Sequence, residues 1–224
     1  MKYLESQKMT ASNDLVVLFH GLGACKEDWI TPGGFTSGGD LTALLDEACI
    51  PWMAADFYGH GDWQAVESGF DPENISDEIW DSFISRSVEA VYEILQRKIA
   101  ENPALSLQLV SYSAGCIVLA SFLAKYPDLP VCASHLASPV PQESMDDEYS
   151  MHNNCDAFSG QKLFWHCGGD DDENEAGEIE RVFNRIETEA KKLYWYDCGH
   201  SLPQEWTRIA YVDIVGARVD TSKK

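Results

Sequence analysis

Short apolar runs alternate along the chain with longer stretches in which apolar residues recur every three or four positions. Leu15–Phe19, Trp52–Ala55, Leu105–Tyr112, Val131–Leu136, Leu163–His166 and Leu193–Tyr196 read as about six strands, and their unbroken apolarity fits burial on both faces. Downstream of Ser76, a capping residue, Ile79, Phe83, Ile84, Val88, Val91, Leu95 and Ile99 trace one helical face that Asn102-Pro103 ends. Ile179, Val182, Phe183, Ile186 and Ala190 mark another over about 176–192. Its acidic start (Glu173, Glu175, Glu178) and Lys191-Lys192 end suit the helix dipole. Further helices fit 40–48, 114–126 and 203–215. The alternation predicts an α/β fold, with a central, mostly parallel sheet of about six strands and helices on both faces. The first 13 residues leave room for little ahead of the first strand. No repeat or linker interrupts the pattern, so 1–224 is expected to form a single domain.

Composition narrows the function classes. The balance of 16 Lys+Arg against 37 Asp+Glu, a net charge of −21, disfavours nucleic acid and anionic membrane surfaces as partners. Ala104–Ala124 is uncharged for 21 residues, long enough to span a bilayer. It holds Gln108, Ser111, Ser113, Gly115 and Ser121, however, and its period changes partway. It reads as a buried strand turning into a buried helix. The 7 cysteines are odd in number and lack a C-x-x-C pair, which suits reduced thiols and a cytoplasmic protein. Residues 1–14 hold no apolar stretch resembling a signal peptide. No histidine pair has metal-ligand spacing, so no metal site is expected.

Three loops at predicted strand ends carry candidate chemistry, as parallel sheets favour. Ser111-Tyr112-Ser113-Ala114-Gly115 reads small-x-Ser-x-small, the pattern a nucleophilic serine on a sharp strand-to-helix turn requires. Ser111 fails the same test, because Leu109 stands two residues before it. His20-Gly21-Leu22-Gly23 follows the first apolar run, and the Leu22 and Ala114 amides suit a pair of oxyanion donors. The third set is a loop from Gly168 to Asp172 with three candidate acids, Asp170, Asp171 and Asp172, and a loop ending in Gly199-His200. A serine needs an imidazole to take its proton and a carboxylate to orient that imidazole, in the chain order Ser, Asp, His for this architecture.

HGLG, SYSAG, GGDDD and GH, in this order, resemble the α/β-hydrolase superfamily of serine hydrolases over residues 15 to about 205. Asp56-Phe57-Tyr58-Gly59-His60-Gly61 is similar to a D-x-x-G-H-G segment of many members, where it is structural or shapes the pocket mouth. The resemblance implies a carboxylesterase-like enzyme with catalytic Ser113, Asp171 and His200, the oxyanion amides of Leu22 and Ala114, no metal and no cofactor. Ser111 departs from the usual first glycine, and the acid depends on which glycine starts the count. The implied reaction is cleavage of an ester or related acyl bond in a small-molecule substrate. Thioester or peptide hydrolysis, haloperoxidation, or a non-catalytic binding protein on the same scaffold stand as alternatives. His20, His135 and His166 are expected to be structural. Cys167 and Cys198 each end a strand, the two strands are expected to be neighbours, and two buried reduced thiols are the favoured reading over a pair close enough for oxidation. The segment 137–162 is too short for a deep cover, which implies short acyl chains, with Tyr112, Trp29, Trp63 and Met151 as candidates for a shallow apolar mouth.

Overall fold

A computed structural model describes residues 3–6, 12–33, 39–63, 75–141, 148–174, 177–188 and 190–218. Glu175 and the 142–147 part of the polar insertion lie outside them. Seven strands form one sheet: β1 (Tyr3–Glu5), β2 (Asp14–Phe19), β3 (Trp52–Ala55), β4 (Ser106–Tyr112), β5 (Val131–Ala137), β6 (Lys162–Gly168) and β7 (Lys191–Tyr196). Their order is β1-β3-β2-β4-β5-β6-β7, parallel throughout except for β1. The helices are α1 (Gly39–Glu47), α2 (Asp77–Glu101), α3 (Ala114–Lys125), α4 (Glu178–Arg185) and α5 (Glu205–Ala217).

Alternate residues of the central strands feed two cores. Val17, Phe19, Leu107, Leu109, Leu136 and Trp165 pack with α2, α3 and α4. Val16, Leu18, Val110, Tyr112 and Ala137 pack with α1 and α5. This double burial is why the strands carry unbroken apolar runs. Ser76 caps α2 as expected, its side chain accepting from Ile79 N–H. The uncharged stretch divides between β4 and α3. No helix among the described residues is long and apolar enough to cross a membrane.

Four expectations need correction. The sheet has a seventh strand, β1, which pairs antiparallel with β3 from Tyr3↔Ala55 to Glu5↔Met53. Three residues with one half-buried side chain, Leu4, carry no readable period. The helix expected over 176–192 spans only Glu178–Arg185; Ala190 is exposed, and Lys191 and Lys192 open β7. Lys191 still answers the helix dipole from that strand, its Nζ donating to the Phe183 and Ile186 carbonyls at 2.9 Å each. Cys198 does not end a strand: it lies beyond Tyr196, the last residue of β7, and packs with the core on the other face of the sheet from Cys167. Trp29, Tyr112 and Met151 are core residues rather than a mouth, Trp29 packing edge-on against Trp206. Trp63 alone of that set is half-buried, against Tyr58.

Candidate active site

β4 ends at Tyr112, and the chain turns into α3 through Ser113 at φ 52° and ψ −127°, a backbone conformation that non-glycine residues rarely adopt. The turn is held by Ser113 N–H donating to Ala137 O at 2.9 Å and by Cys116 N–H donating to Ser113 O at 2.8 Å. Ser111 is buried, its Oγ 3.3 Å from His135 O and 3.2 Å from Cys116 Sγ, so its hydroxyl is occupied inside the fold. Gly115 is small for a definite reason. A β-carbon there would stand 2.4 Å from His20 O and 2.7 Å from Phe19 O. The loop leaving β2 therefore lies directly on the elbow, and a β-carbon on Gly21 would approach Ser113 Cβ to 3.2 Å.

A second close approach joins the acid and histidine loops. A β-carbon on Gly168, at the end of β6, would come within 2.1 Å of Gly199 O. His200 Nδ1 lies 2.9 Å from Asp171 Oδ2 and 3.2 Å from Oδ1, while its Nε2 lies 2.8 Å from Ser113 Oγ. With the ring proton on Nδ1, the Nε2 lone pair is free to accept from the serine hydroxyl. The side chains of Asp171 and His200 are 5% and 20% exposed. Burial lowers the His200 pKa, but the Asp171 hydrogen bond and charge, with Glu173 and Asp172 behind them, outweigh it and raise the pKa above 6.5. Of the three candidate acids only Asp171 meets His200. Asp172 is exposed, and so is Asp170, whose N–H ties the loop to Cys198 O at 2.9 Å.

The loop bearing Leu22 is clasped to the D-x-x-G-H-G segment. Phe57 N–H donates to His20 Nε2 at 2.9 Å, and Gly23 N–H donates to His60 Nε2 at 2.9 Å. Burial, helped by the nearby His60, lowers the His20 pKa to about 3; burial also lowers that of His60. Both rings thus stay neutral and able to accept. Asp56 fastens the other end, accepting from Lys26 N–H at 3.0 Å, Lys26 Nζ at 2.6 Å and Asp62 N–H at 3.0 Å. Leu22 is half-buried and Ala114 buried, and neither amide donates to another described residue, Ala114 being the first residue of α3. His135 and His166 are buried core residues as expected. His166 Nδ1 meets Tyr196 OH at 2.9 Å, whereas neither His135 nitrogen has a partner among the described residues.

Sequence reasoning missed two groups at the site, Tyr112 OH and Ser138 Oγ, which donate to the His200 carbonyl at 3.0 and 2.5 Å. Ser138 falls in no recognisable motif. Tyr112 was visible as the variable neighbour of Ser113 and as a candidate mouth residue, with nothing local to mark its hydroxyl as a partner of His200.

No protein-family model and no curated protein sequence matches the chain. Solved structures do. A cold-adapted esterase from an Arctic intertidal metagenomic library superposes at a TM-score of 0.72 with 17% identity, over 97% of this chain and 88% of that one. A Bacillus cereus carboxylesterase matches at 0.66 and 19%, over 97% and 95%. A Paleococcus ferrophilus monoacylglycerol lipase matches at 0.66 and 15%, over 97% and 100%. At these identities the likeness is one of fold, the α/β-hydrolase fold.

Proposed function

Starting from an α/β-hydrolase fold, we propose that the protein is a serine hydrolase that cleaves an ester or related acyl bond of a small substrate through an acyl-enzyme. The observation that carries this reading is the hydrogen-bonded series Ser113 Oγ, His200 Nε2, His200 Nδ1, Asp171 Oδ2, with links of 2.8 and 2.9 Å. In this mechanism His200 takes the Ser113 proton as Oγ attacks the acyl carbon, and Asp171 stabilises the imidazolium. The tetrahedral oxyanion is received by the Leu22 and Ala114 amides, the second also at a helix N-terminus. His200 returns the proton to the leaving oxygen, and a water activated by the same imidazole releases the acid. The esterase and lipase names of the structural neighbours favour an ester over other acyl bonds.

Short acyl chains follow from the cover. Among the described residues of 138–161 the only helical element is a four-residue 3-10 helix, Cys155–Phe158. Each methylene left in water forgoes about 0.8 kcal/mol. A fluorophosphonate probe tests the reading: it should label the protein, and Ser113→Ala should abolish the label. An unlabelled wild-type protein would mean a binding protein on a hydrolase scaffold. A panel of p-nitrophenyl esters, thioesters and aminoacyl amides then ranks the substrate classes by kcat/KM.

A further inference from the structure

Among the described residues, three outside glycine adopt positive φ: Cys49, Ser113 and Ser138. Two of them touch His200. Ser113 Oγ lies 2.8 Å from its Nε2, and Ser138 Oγ donates to its backbone carbonyl at 2.5 Å. Tyr112 OH donates to the same carbonyl at 3.0 Å, using the second lone pair. Both donors are buried and stand on one rigid base, since Tyr112 of β4 is in register with Ala137, the last residue of β5. Ser138 is further tied to β6, its N–H donating to His166 O at 2.8 Å. His200, by contrast, lies in a stretch, 197–204, with neither helix nor strand.

We propose that Tyr112 and Ser138 are positioning residues: together they clamp the His200 carbonyl and so set its imidazole against Ser113. The proposal rests on the serine-hydrolase reading above. The physical need is plain. One end of the imidazole is oriented by Asp171, but a ring on an irregular loop can still shift as a body with its backbone. Two hydroxyls on the carbonyl remove that freedom and tie the loop to the strands that bear the nucleophile. Backbone strain at a non-glycine residue persists only where surrounding contacts compensate it, as they do at both serines. The Tyr112 ring adds an edge-on contact with the imidazole, centroids 6.0 Å apart at 67°.

The test uses Tyr112→Phe, Ser138→Gly and the double variant of the full chain. Glycine accepts a positive φ without steric cost, so Ser138→Gly removes the hydroxyl and not the turn. We expect each single change to lower kcat about tenfold and the double change about a hundredfold, the scale set by small misplacements of a catalytic group. KM should stay nearly unchanged, the rate of fluorophosphonate labelling should fall in parallel, and the low-field proton resonance of His200 Nδ1–H should broaden. A merely structural role would lower Tm and leave kcat per folded molecule and that resonance intact; this outcome overturns the proposal. Should Tyr112→Phe fail to fold, Ser138→Gly carries the same readouts alone. Failure of the underlying reading looks different: the wild-type protein would itself be unlabelled, or Ser113→Ala would still be labelled, and the clamp would fall with it.

Discussion

His20 and His60 are exchanged acceptors: each imidazole Nε2 receives a backbone N–H from the loop that carries the other, Phe57 to His20 and Gly23 to His60, both at 2.9 Å. The remaining nitrogen of each ring faces a local carbonyl, Gly21 O at 2.8 Å and Tyr58 O at 3.0 Å, which sets the proton on Nδ1 in both. The loop bearing Leu22 is thereby fixed to the loop after β3, 37 residues away.

His60→Ala should weaken catalysis more than binding. The change leaves Gly23 N–H without its acceptor and frees the neighbouring Leu22 amide, whose proposed partner exists only in the transition state. We expect kcat to fall about tenfold or more with KM little changed, and stability to drop by about 1–3 kcal/mol. Steady-state kinetics and urea unfolding check both. A rise in KM at constant kcat would assign the loop to ground-state binding instead.

The acid limb of the activity profile should lie above the ordinary imidazole value. His200 must be neutral to accept the Ser113 proton, and its pKa is raised because Asp171, Glu173 and Asp172 outweigh burial. Activity is then lost as pH falls through that raised value. Removing negative charge lowers it, so Glu173→Gln and Asp172→Asn should each move the limb to lower pH, and added salt should act likewise. The log of kcat/KM against pH measures this; a limb unmoved in the double variant would place its origin elsewhere.

Asp171→Asn should reduce kcat by about 10⁴-fold, the loss seen when a neutral amide mis-orients the imidazole in comparable triads. Asp170→Asn and Asp172→Asn should change it severalfold at most, since their side chains are exposed. Near-equal losses in all three variants would remove Asp171 from its proposed role.

Ser113→Gly and Ser113→Ala should both be inactive yet differ in stability. Alanine retains the strain of φ 52°, and glycine relieves it. The glycine variant should exceed the alanine variant by about 1–2 kcal/mol in unfolding free energy. Equal stabilities would mean that the elbow is less strained than its dihedral angles indicate.

Much of this protein was legible because burial writes its period into the chain. β2 to β6 needed apolar runs to be buried on both faces, β7 at the sheet edge showed through its aromatic run although Trp195 is exposed, and α2 needed one apolar stripe and a capping serine, so each was visible locally. The elbow was visible for a related reason, since small residues must flank a serine on a sharp turn. Contacts between distant segments decided the rest. β1 is held by backbone pairing with β3, some 50 residues on, and leaves almost no side-chain signal. α4 stops at Arg185, short of β7, and Lys191 serves both the strand it opens and the carbonyls at the helix end. Among Asp170, Asp171 and Asp172 the choice turned on the path of the loop leaving β6, whose last residue packs against Gly199 too closely for any β-carbon. The hydroxyls of Tyr112 and Ser138 on the His200 carbonyl span 88 and 62 residues. A hydrogen bond of that kind depends on where two loops meet in space, and neighbouring residues carry no record of it.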